Sequence, residues 1–210
     1  MIAEIMHGLA VRRPVFHSEA DFQHAIAWAI HETWPDASIR LEYPILLSGD
    51  QAHIDICVRM RNAVVLVELK YKTRALKAQV GDETYSLRAH AAQDISRYDY
   101  VKDISRVEQA VAGLPHSTGY AVFLTNDSSY WKRSRKARPV DADFRIHAGR
   151  SISGKLEWRG AGSGTTKGRE APVRLRGEYT IQWQEYSSLG VGVHDTMRYT
   201  VATVTPSQPS

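Results

Sequence analysis

The chain of 210 residues has a single cysteine, Cys57, which excludes an internal disulfide framework. Lack of disulfides fits a reducing compartment. No CxxC or HExxH pattern occurs, so the common zinc patterns are also excluded. No run of 18 apolar residues is present, and residues 1–16 lack the apolar segment of a secretory signal peptide. The sequence therefore predicts a cytoplasmic protein with no membrane segment.

A glycine-rich segment at residues 160–168, GAGSGTTKG, superficially resembles a phosphate-binding P-loop. In that motif a glycine precedes the lysine and Ser or Thr follows it. Here Thr166 precedes Lys167 and Gly168 follows it, so nucleotide hydrolysis by a P-loop is excluded. The surrounding residues 149–176 are rich in Gly, Ser, Lys and Arg, which predicts that they include a mobile loop.

Positive charge is concentrated in one part of the chain. The net charge is +4, but residues 132–176 carry 13 Lys/Arg and 4 Asp/Glu, a local charge of +9 that leaves −5 elsewhere. Such segregation suits a phosphate-bearing partner. Basic side chains beside the aromatic residues at 130 and 131 suit a nucleic-acid backbone with stackable bases. Nucleic-acid contacts are therefore predicted for Trp131, Lys132, Arg133, Arg135 and Lys136, with a solvated charged loop as the alternative.

Periodicity and turn residues predict the order of the secondary structure. Apolar residues at helical spacing predict helices over residues 18–34 and about 91–112. Apolar and alternating runs predict strands. These strands cover residues 38–48, 53–60, 63–72, 119–127, 178–186 and 197–204. The strand at 119–127 has the apolar character of a parallel strand that follows a crossover helix.

The segment from residue 53 to residue 72, HIDICVRMRNAVVLVELKYK, is predicted to form a hairpin that turns at Arg61-Asn62. A two-residue turn there sets Asp55 opposite Glu68 and His53 opposite Lys70. The other face of the hairpin is apolar and is predicted to be core. Its residues are Ile54, Ile56, Val58, Met60, Ala63, Val65, Val67 and Leu69.

Two carboxylates that face each other across a strand pair repel, which is destabilising. A chain that tolerates such a pair usually binds a cation between the carboxylates or holds a shared proton. Lys70 points to the same face as Glu68, because strand side chains repeat every second residue. The hairpin is therefore a candidate site with two acids and one lysine.

The spacing Asp-x12-Glu-x-Lys resembles the active-site motif of the PD-(D/E)xK nuclease superfamily. The match consists of Asp55, Glu68, Leu69 and Lys70, and the resemblance extends loosely over residues 18–125. Ile54 stands where the superfamily often has proline. The resemblance implies an α/β protein with a restriction endonuclease-like core. In that fold a central mixed β-sheet is flanked by helices, here with a C-terminal β-rich extension.

The same resemblance implies metal-dependent hydrolysis of phosphodiester bonds, in DNA more than in RNA. Asp55 and Glu68, with the Leu69 carbonyl, would hold Mg²⁺ or Mn²⁺. Lys70 would act on the scissile phosphate or on the nucleophilic water. Glu19 corresponds to the acid of the first helix in this superfamily. The alternative for Glu19 is a surface acid that complements the helix dipole.

Two further basic residues are predicted to contact substrate phosphate, namely Lys72 and Arg97. The chain is predicted to form one domain over residues 1–210, with a core at about 18–127 and a basic loop and β extension at about 128–205. The alternative function is a non-catalytic module that keeps this fold and binds nucleic acid or protein. A homodimer is left open beside the monomer.

Overall fold

The structure, a computed structural model, describes residues 1–47, 49–134 and 136–206. Its elements, in chain order, are α1 (Ile2–Arg12), α2 (Glu19–Thr33), β1 (Ser38–Leu47), β2 (Asp50–Met60), β3 (Ala63–Lys72), β4 (Leu76–Val80), β5 (Glu83–Leu87), α3 (Gln93–Ala112), β6 (Ser117–Thr125), β7 (Ser151–Leu156), α4 (Ser163–Thr166), β8 (Val173–Thr180), β9 (Gln184–Ser188) and β10 (Thr196–Val204). In the part of the chain so described, no helix has both the length and the apolarity needed to cross a membrane.

Six strands form the central sheet in the order β1-β2-β3-β6-β10-β9. The pair β3–β6 is parallel and every other neighbouring pair is antiparallel. The parallel pair requires a crossover, and α3 supplies it. Helices cover both faces, because α1 and α2 pack on one and α3 packs on the other. The predicted α/β protein with a mixed sheet flanked by helices is confirmed.

Helix α2 begins where the sequence predicts it. The Ser18 side chain accepts a hydrogen bond from the backbone N–H of Asp21 at 3.1 Å, which caps the first turn. The apolar stripe of the helix is buried against the sheet, with Phe22, Ile26 and Ile30 fully covered. This packing places the first turn of α2 beside the end of β3, where Glu19 reaches the candidate site.

The C-terminal part differs from its prediction. Strands β9 and β10 belong to the central sheet, with β10 beside β6, and are not an extension outside the core. The predicted strand 178–186 is two strands, β8 and β9, separated by residues 181–183. The predicted mobile loop at 149–176 contains β7, α4 and the start of β8. Val173 and Leu175 are buried there between exposed arginines, an alternation that the basic composition obscures.

Two further elements were not predicted. Helix α1 buries four apolar residues in the same core cluster as α2 and the sheet. In the sequence this segment contains only a short apolar stretch. The hairpin β4–β5 forms a separate two-stranded sheet in a polar stretch. Tyr85 and Leu87 of that hairpin pack against Val15, so its stability depends on a contact distant in sequence.

Gly119 of β6 lies under α3 without room for a side chain. An added Cβ would overlap the side chain of Val107 and would lie 2.9 Å from Val111 Cγ2. Gly119→Ala is therefore expected to lower the free energy of unfolding by about 1–3 kcal/mol, measured by denaturant titration. The double variant with Val107→Ala should recover part of this loss.

The matched control for this prediction is Gly113→Ala. At Gly113 the nearest atoms to an added Cβ are backbone oxygens at 3.7 and 3.8 Å. The control should change stability by no more than about 0.5 kcal/mol. Equal stability of Gly119→Ala and the control would contradict the close approach of α3 to β6.

Candidate active site

The β2–β3 hairpin has the predicted turn and register along most of its length. Ile56 pairs with Val67 and Met60 pairs with Ala63, which is the register that a two-residue turn at Arg61-Asn62 sets. The described pairing between the two strands ends at Ile56 and Val67. Asp55 and Glu68 therefore lie just beyond the last backbone pair, at the point where the strands separate.

The pairing of β1 with β2 is interrupted at Glu42 and Asp55. Leu41 pairs with Ile56 and Tyr43 pairs with Ile54, whereas the intervening Glu42 has φ +49°. This irregularity turns Ile54 to the α3 face, although Ile56, two residues away, stays on the α2 face. The prediction that these two residues share one core face is wrong for Ile54.

The predicted pairing of His53 with Lys70 is also wrong. His53 pairs with Pro44 of β1. It is exposed and lines the groove described below. The reason is the same separation of β2 from β3, because beyond Ile56 strand β2 follows β1 alone.

Beyond the last backbone pair of β2 and β3, the Asp55 side chain connects the two strands by a hydrogen bond to the backbone of β3. Its Oδ2 accepts a hydrogen bond from the Leu69 N–H at 2.6 Å. The N–H and C=O of one strand residue point towards the same neighbouring strand, so the Leu69 carbonyl is directed to the Asp55 side. From α2, Gln23 Nε2 donates to the Asp55 carbonyl at 2.8 Å and to Glu42 Oε1 at 2.9 Å. These contacts hold the irregular strand in place.

Helix α3 brings two charged residues to this face of the hairpin. Arg106 Nη1 donates to Glu68 Oε1 at 2.8 Å and lies 3.4 Å from Asp103 Oδ1. Lys70 Nζ forms an ion pair with Asp103 Oδ2 at 2.9 Å. The site therefore contains three carboxylates, from Asp55, Glu68 and Asp103, and two cations.

Burial makes the charges of these acids costly. Burial raises the pKa of Asp55 to about 6; the hydrogen bond from the Leu69 N–H opposes this, and the Asp103 charge adds to it. Burial and the charges of Asp103 and Asp55 raise the pKa of Glu68 to about 9, against the opposing effect of Arg106. Only 2% of Glu68 is exposed. The acids thus lie in a region where additional positive charge would be stabilising.

Lys70 keeps its charge in spite of burial. Burial alone would lower its pKa, but the charges of Asp103 and then Glu19 outweigh this effect and raise the pKa. Asp103 is itself buried, which raises the pKa of its carboxyl, and Lys70 and Arg106 partly offset the shift. The two buried groups therefore stabilise each other as an ion pair.

Glu19 and Lys72 meet at the end of β3. Glu19 Oε2 accepts a hydrogen bond from the Tyr71 N–H at 2.7 Å and from Lys72 Nζ at 3.3 Å. The Glu19 charge also acts on Lys70. Glu19 therefore lies next to the lysine side of the site, and its described hydrogen bonds go to the backbone and lysine of β3.

Asp103 and Arg106 were not predicted as site residues. The apolar stripe of α3 identifies a helix but not its inward polar positions. Most positions of this helix are buried, because the sheet covers one side and β8 the other. One available signal is the i, i+3 spacing of the opposite charges Asp103 and Arg106 next to buried Ile104.

The site opens into a groove with a volume of about 1210 Å³. Its lining includes Asp55 of β2 and Arg106 of α3, but not Glu68 or Lys70, and continues over β7 and β8. The basic residues along this groove come from the second half of the basic segment and from α3. They are Lys102, Arg106, Lys155, Arg169, Arg174 and Arg176.

The predicted nucleic-acid residues after β6 lie at a different cavity, of about 690 Å³. Lys132, Arg133 and Lys136 are exposed and line it, and none of Asp55, Glu68 or Lys70 does. Trp131 is half-buried, with its ring 5.8 Å from that of Trp183 and 5.6 Å from the guanidinium carbon of Arg198. Arg135 lies outside the described residues.

Arg97 has a structural role in place of the predicted phosphate contact. Its side chain is 4% exposed, and Nη1 donates to Asp141 Oδ2 at 2.7 Å. Nη2 donates to the Ser129 carbonyl at 2.8 Å, and the guanidinium lies over the Tyr130 ring. With these contacts Arg97 holds the loop after β6 against α3. This corrects the prediction that Arg97 contacts substrate phosphate.

Within residues 1–47, 49–134 and 136–206, no group of three or more His, Cys, Asp or Glu side chains has an arrangement that could hold a metal ion. A metal at this site would need the Leu69 carbonyl, water or substrate oxygens in addition to two carboxylates. No protein-family model, curated protein or solved structure matches this chain.

Proposed function

We propose that this protein is a metal-dependent nuclease that hydrolyses phosphodiester bonds, most readily in DNA, at the site formed by Asp55, Glu68 and Lys70. The observation that carries the proposal is the grouping of these three side chains on the α3 face of one hairpin, next to an open groove lined by six Lys/Arg and five Asp/Glu residues. A restriction endonuclease-like core would account for the same arrangement. The placement of Glu19 beside Lys70 and Lys72 also supports it.

The donor set fits a hard divalent cation. Mg²⁺ takes oxygen ligands, often from one or two carboxylates, and keeps several waters for substrate phosphate. Asp55, Glu68 and the Leu69 carbonyl would hold Mg²⁺ or Mn²⁺, and the raised pKa of both acids indicates a need for positive charge there. Arg106 now supplies that charge at Glu68. The ion, when bound, would activate water and stabilise negative charge on the phosphate.

The remaining chemistry belongs to side chains of the site. Lys70 is held charged by Asp103, so it can act as a fixed positive charge on a non-bridging phosphate oxygen. Arg106 lines the groove, where a phosphate can accept hydrogen bonds from its guanidinium. Asp55 is fixed by the Leu69 N–H and so is positioned before any ligand arrives.

The direct test is incubation of the purified protein with circular and linear DNA, with Mg²⁺, Mn²⁺ or EDTA. Cleavage of both substrates that EDTA abolishes is the expected result, and cut circles would establish endonuclease action. RNA of the same sequence distinguishes the two nucleic acids. Binding of DNA without cleavage under any of these conditions would favour the alternative, a non-catalytic nucleic-acid-binding module.

Divalent metal should stabilise the protein, and more so at higher pH. The pKa of Asp55 is raised to about 6 and that of Glu68 to about 9, so the folded chain binds protons that the unfolded chain releases. Without metal, stability should therefore fall as pH rises from about 5 to about 9. A metal that binds only the folded site at about a hundred times its dissociation constant adds about 2.7 kcal/mol. Thermal melts with Mn²⁺ across this pH range measure the effect.

Glu68→Gln is the control for this expectation. It removes the carboxyl whose pKa is raised to about 9, so it should flatten the pH dependence and weaken the stabilisation by metal. A melting temperature that responds to Mn²⁺ equally in both proteins would contradict a metal site at Glu68.

A further inference from the structure

Basic residues of the segment 132–176 line two different cavities, one beside the first turns of α3 and one along its later turns. The first group, here called the loop surface, consists of Lys132, Arg133 and Lys136 and lines the smaller cavity. The second group, here called the groove surface, consists of Lys102, Arg174 and Arg176 and lines the groove that contains Asp55. Both surfaces are basic and exposed, so charge alone does not choose between them.

We infer that the groove surface, and not the loop surface, binds the phosphate backbone of the DNA strand that enters the site. This inference rests on the proposed function and assigns the substrate-binding surface of that same site. The observation that carries it is the shared groove: Asp55 and the groove surface line one continuous cavity of about 1210 Å³. A strand bound along this cavity passes Asp55 and Arg106.

The three cations of the groove surface are not committed to carboxylates. Lys155 pairs with Glu157 at 2.6 Å and Arg169 pairs with Asp99 at 3.2 Å, so part of the basic charge at the groove is already neutralised. Lys102, Arg174 and Arg176 form no ion pair with any residue that the structure describes. Their charge is therefore available to phosphate without the loss of an existing pair.

Side chains of α3 hold strand β8 in the position that this binding requires. Glu108 is buried, and its carboxylate accepts hydrogen bonds from the Arg176 N–H at 2.9 and 3.0 Å and from the Gly177 N–H at 2.8 Å. Ser105 Oγ donates to the Arg174 carbonyl at 2.9 Å. These bonds take up the N–H groups of Arg176 and Gly177, which fall in the irregularity of the β7–β8 pairing, and hold the backbone of β8 on the helix.

Strand periodicity then determines where the arginines point. Val173 and Leu175 are buried, so Arg174 and Arg176 both project from the exposed face of β8. They lie on β8, whose backbone is hydrogen-bonded to side chains of α3, and Lys102 lies on the helix that also carries Arg106. Cations on fixed elements bind a phosphate chain with less loss of conformational freedom than cations on a loop.

The test compares two triple variants with equal loss of charge. One is Lys102→Gln/Arg174→Gln/Arg176→Gln, and the other is Lys132→Gln/Arg133→Gln/Lys136→Gln. Binding of the full chain to a labelled DNA duplex is measured in EDTA by fluorescence anisotropy at several salt concentrations. All six residues are exposed, and melting curves establish that both variants are folded.

The groove variant should bind at least about tenfold more weakly, and the slope of log affinity against log salt should fall by ~0.9 for each lost phosphate contact. The loop variant should keep the slope of the unaltered protein. In cleavage assays, the groove variant should have a higher KM than the unaltered protein and nearly the same kcat.

Three results would overturn the inference: an unchanged slope in the groove variant, a loss confined to the loop variant, or equal losses in both. The proposed function is tested separately, by measuring whether the unaltered protein cleaves DNA with Mg²⁺. Groove-dependent binding without any cleavage would support this surface and reject the nuclease.

Discussion

Asp55→Asn should reduce the rate of DNA cleavage by about 10²–10³-fold or more, while the protein folds normally. Asparagine keeps an oxygen that can accept the hydrogen bond of the Leu69 N–H, which in the unaltered protein is 2.6 Å from Asp55 Oδ2. The substitution therefore removes the charge and leaves the local geometry. Single-turnover cleavage of a plasmid with Mg²⁺ measures the effect, and a thermal melt verifies the fold.

Asp82→Asn is the matched control for this substitution. Asp82 is exposed in the turn between β4 and β5, outside the groove, so the same chemical change should leave the cleavage rate unaltered. If Asp55→Asn cleaves DNA at the rate of the control, Asp55 has no part in the reaction and the proposed site is wrong.

Lys70→Met should cost about 3–5 kcal/mol in the free energy of unfolding, because it leaves a buried charge without its partner. Asp103 has a side-chain exposure of 5%, and Lys70 Nζ is 2.9 Å from its Oδ2. Arg106, at 3.4 Å from the other oxygen, compensates only in part. Denaturant titration measures this loss.

The double variant Lys70→Met/Asp103→Asn separates folding from chemistry. Removing both charges should restore most of the stability, because replacement of a whole buried pair is often nearly neutral. Cleavage should stay lost in the double variant, since the positive charge at the phosphate is still missing. A double variant that is stable and cleaves DNA normally would refute the role of Lys70.

Lys72→Met serves as the control for stability. Lys72 pairs with Glu19 at 3.3 Å, but the Glu19 side chain is 43% exposed. Surface pairs of this kind contribute about 0–1 kcal/mol, so this variant should unfold nearly like the unaltered protein. A loss as large as that of Lys70→Met would mean that burial of the partner is not what makes Lys70 important.

The hairpin that carries the site could be predicted because its determinants are local. A two-residue turn at Arg61-Asn62 sets the register, and the alternation of strand side chains puts Glu68 and Lys70 on one face. The same local reasoning predicted α2, whose cap at Ser18 and apolar stripe are contiguous in sequence. For these elements, neighbouring residues contain all the information needed.

Ile54 shows where local reasoning ends. Strict alternation puts it on the face of Ile56, yet the irregular strand at Asp55 turns it to the α3 side. At that irregularity Gln23 of α2 hydrogen-bonds both the Asp55 carbonyl and Glu42 of β1, contacts that exist only after the chain has folded. No sequence pattern within β2 indicates those contacts.

The sequence by itself determined the hairpin turn, the register of Ile56–Met60 against Ala63–Val67 and the shared face of Glu68 and Lys70, because turn geometry and strand periodicity act over a few residues. The tertiary structure alone decided that Asp103 and Arg106 complete the charge of the site, and that β8 and not the loop after β6 borders its groove. The physical reason is that α3 and β8 lie far along the chain from the hairpin. Their position depends on burial of apolar surface against the whole sheet, a property of the packed fold that no short segment encodes.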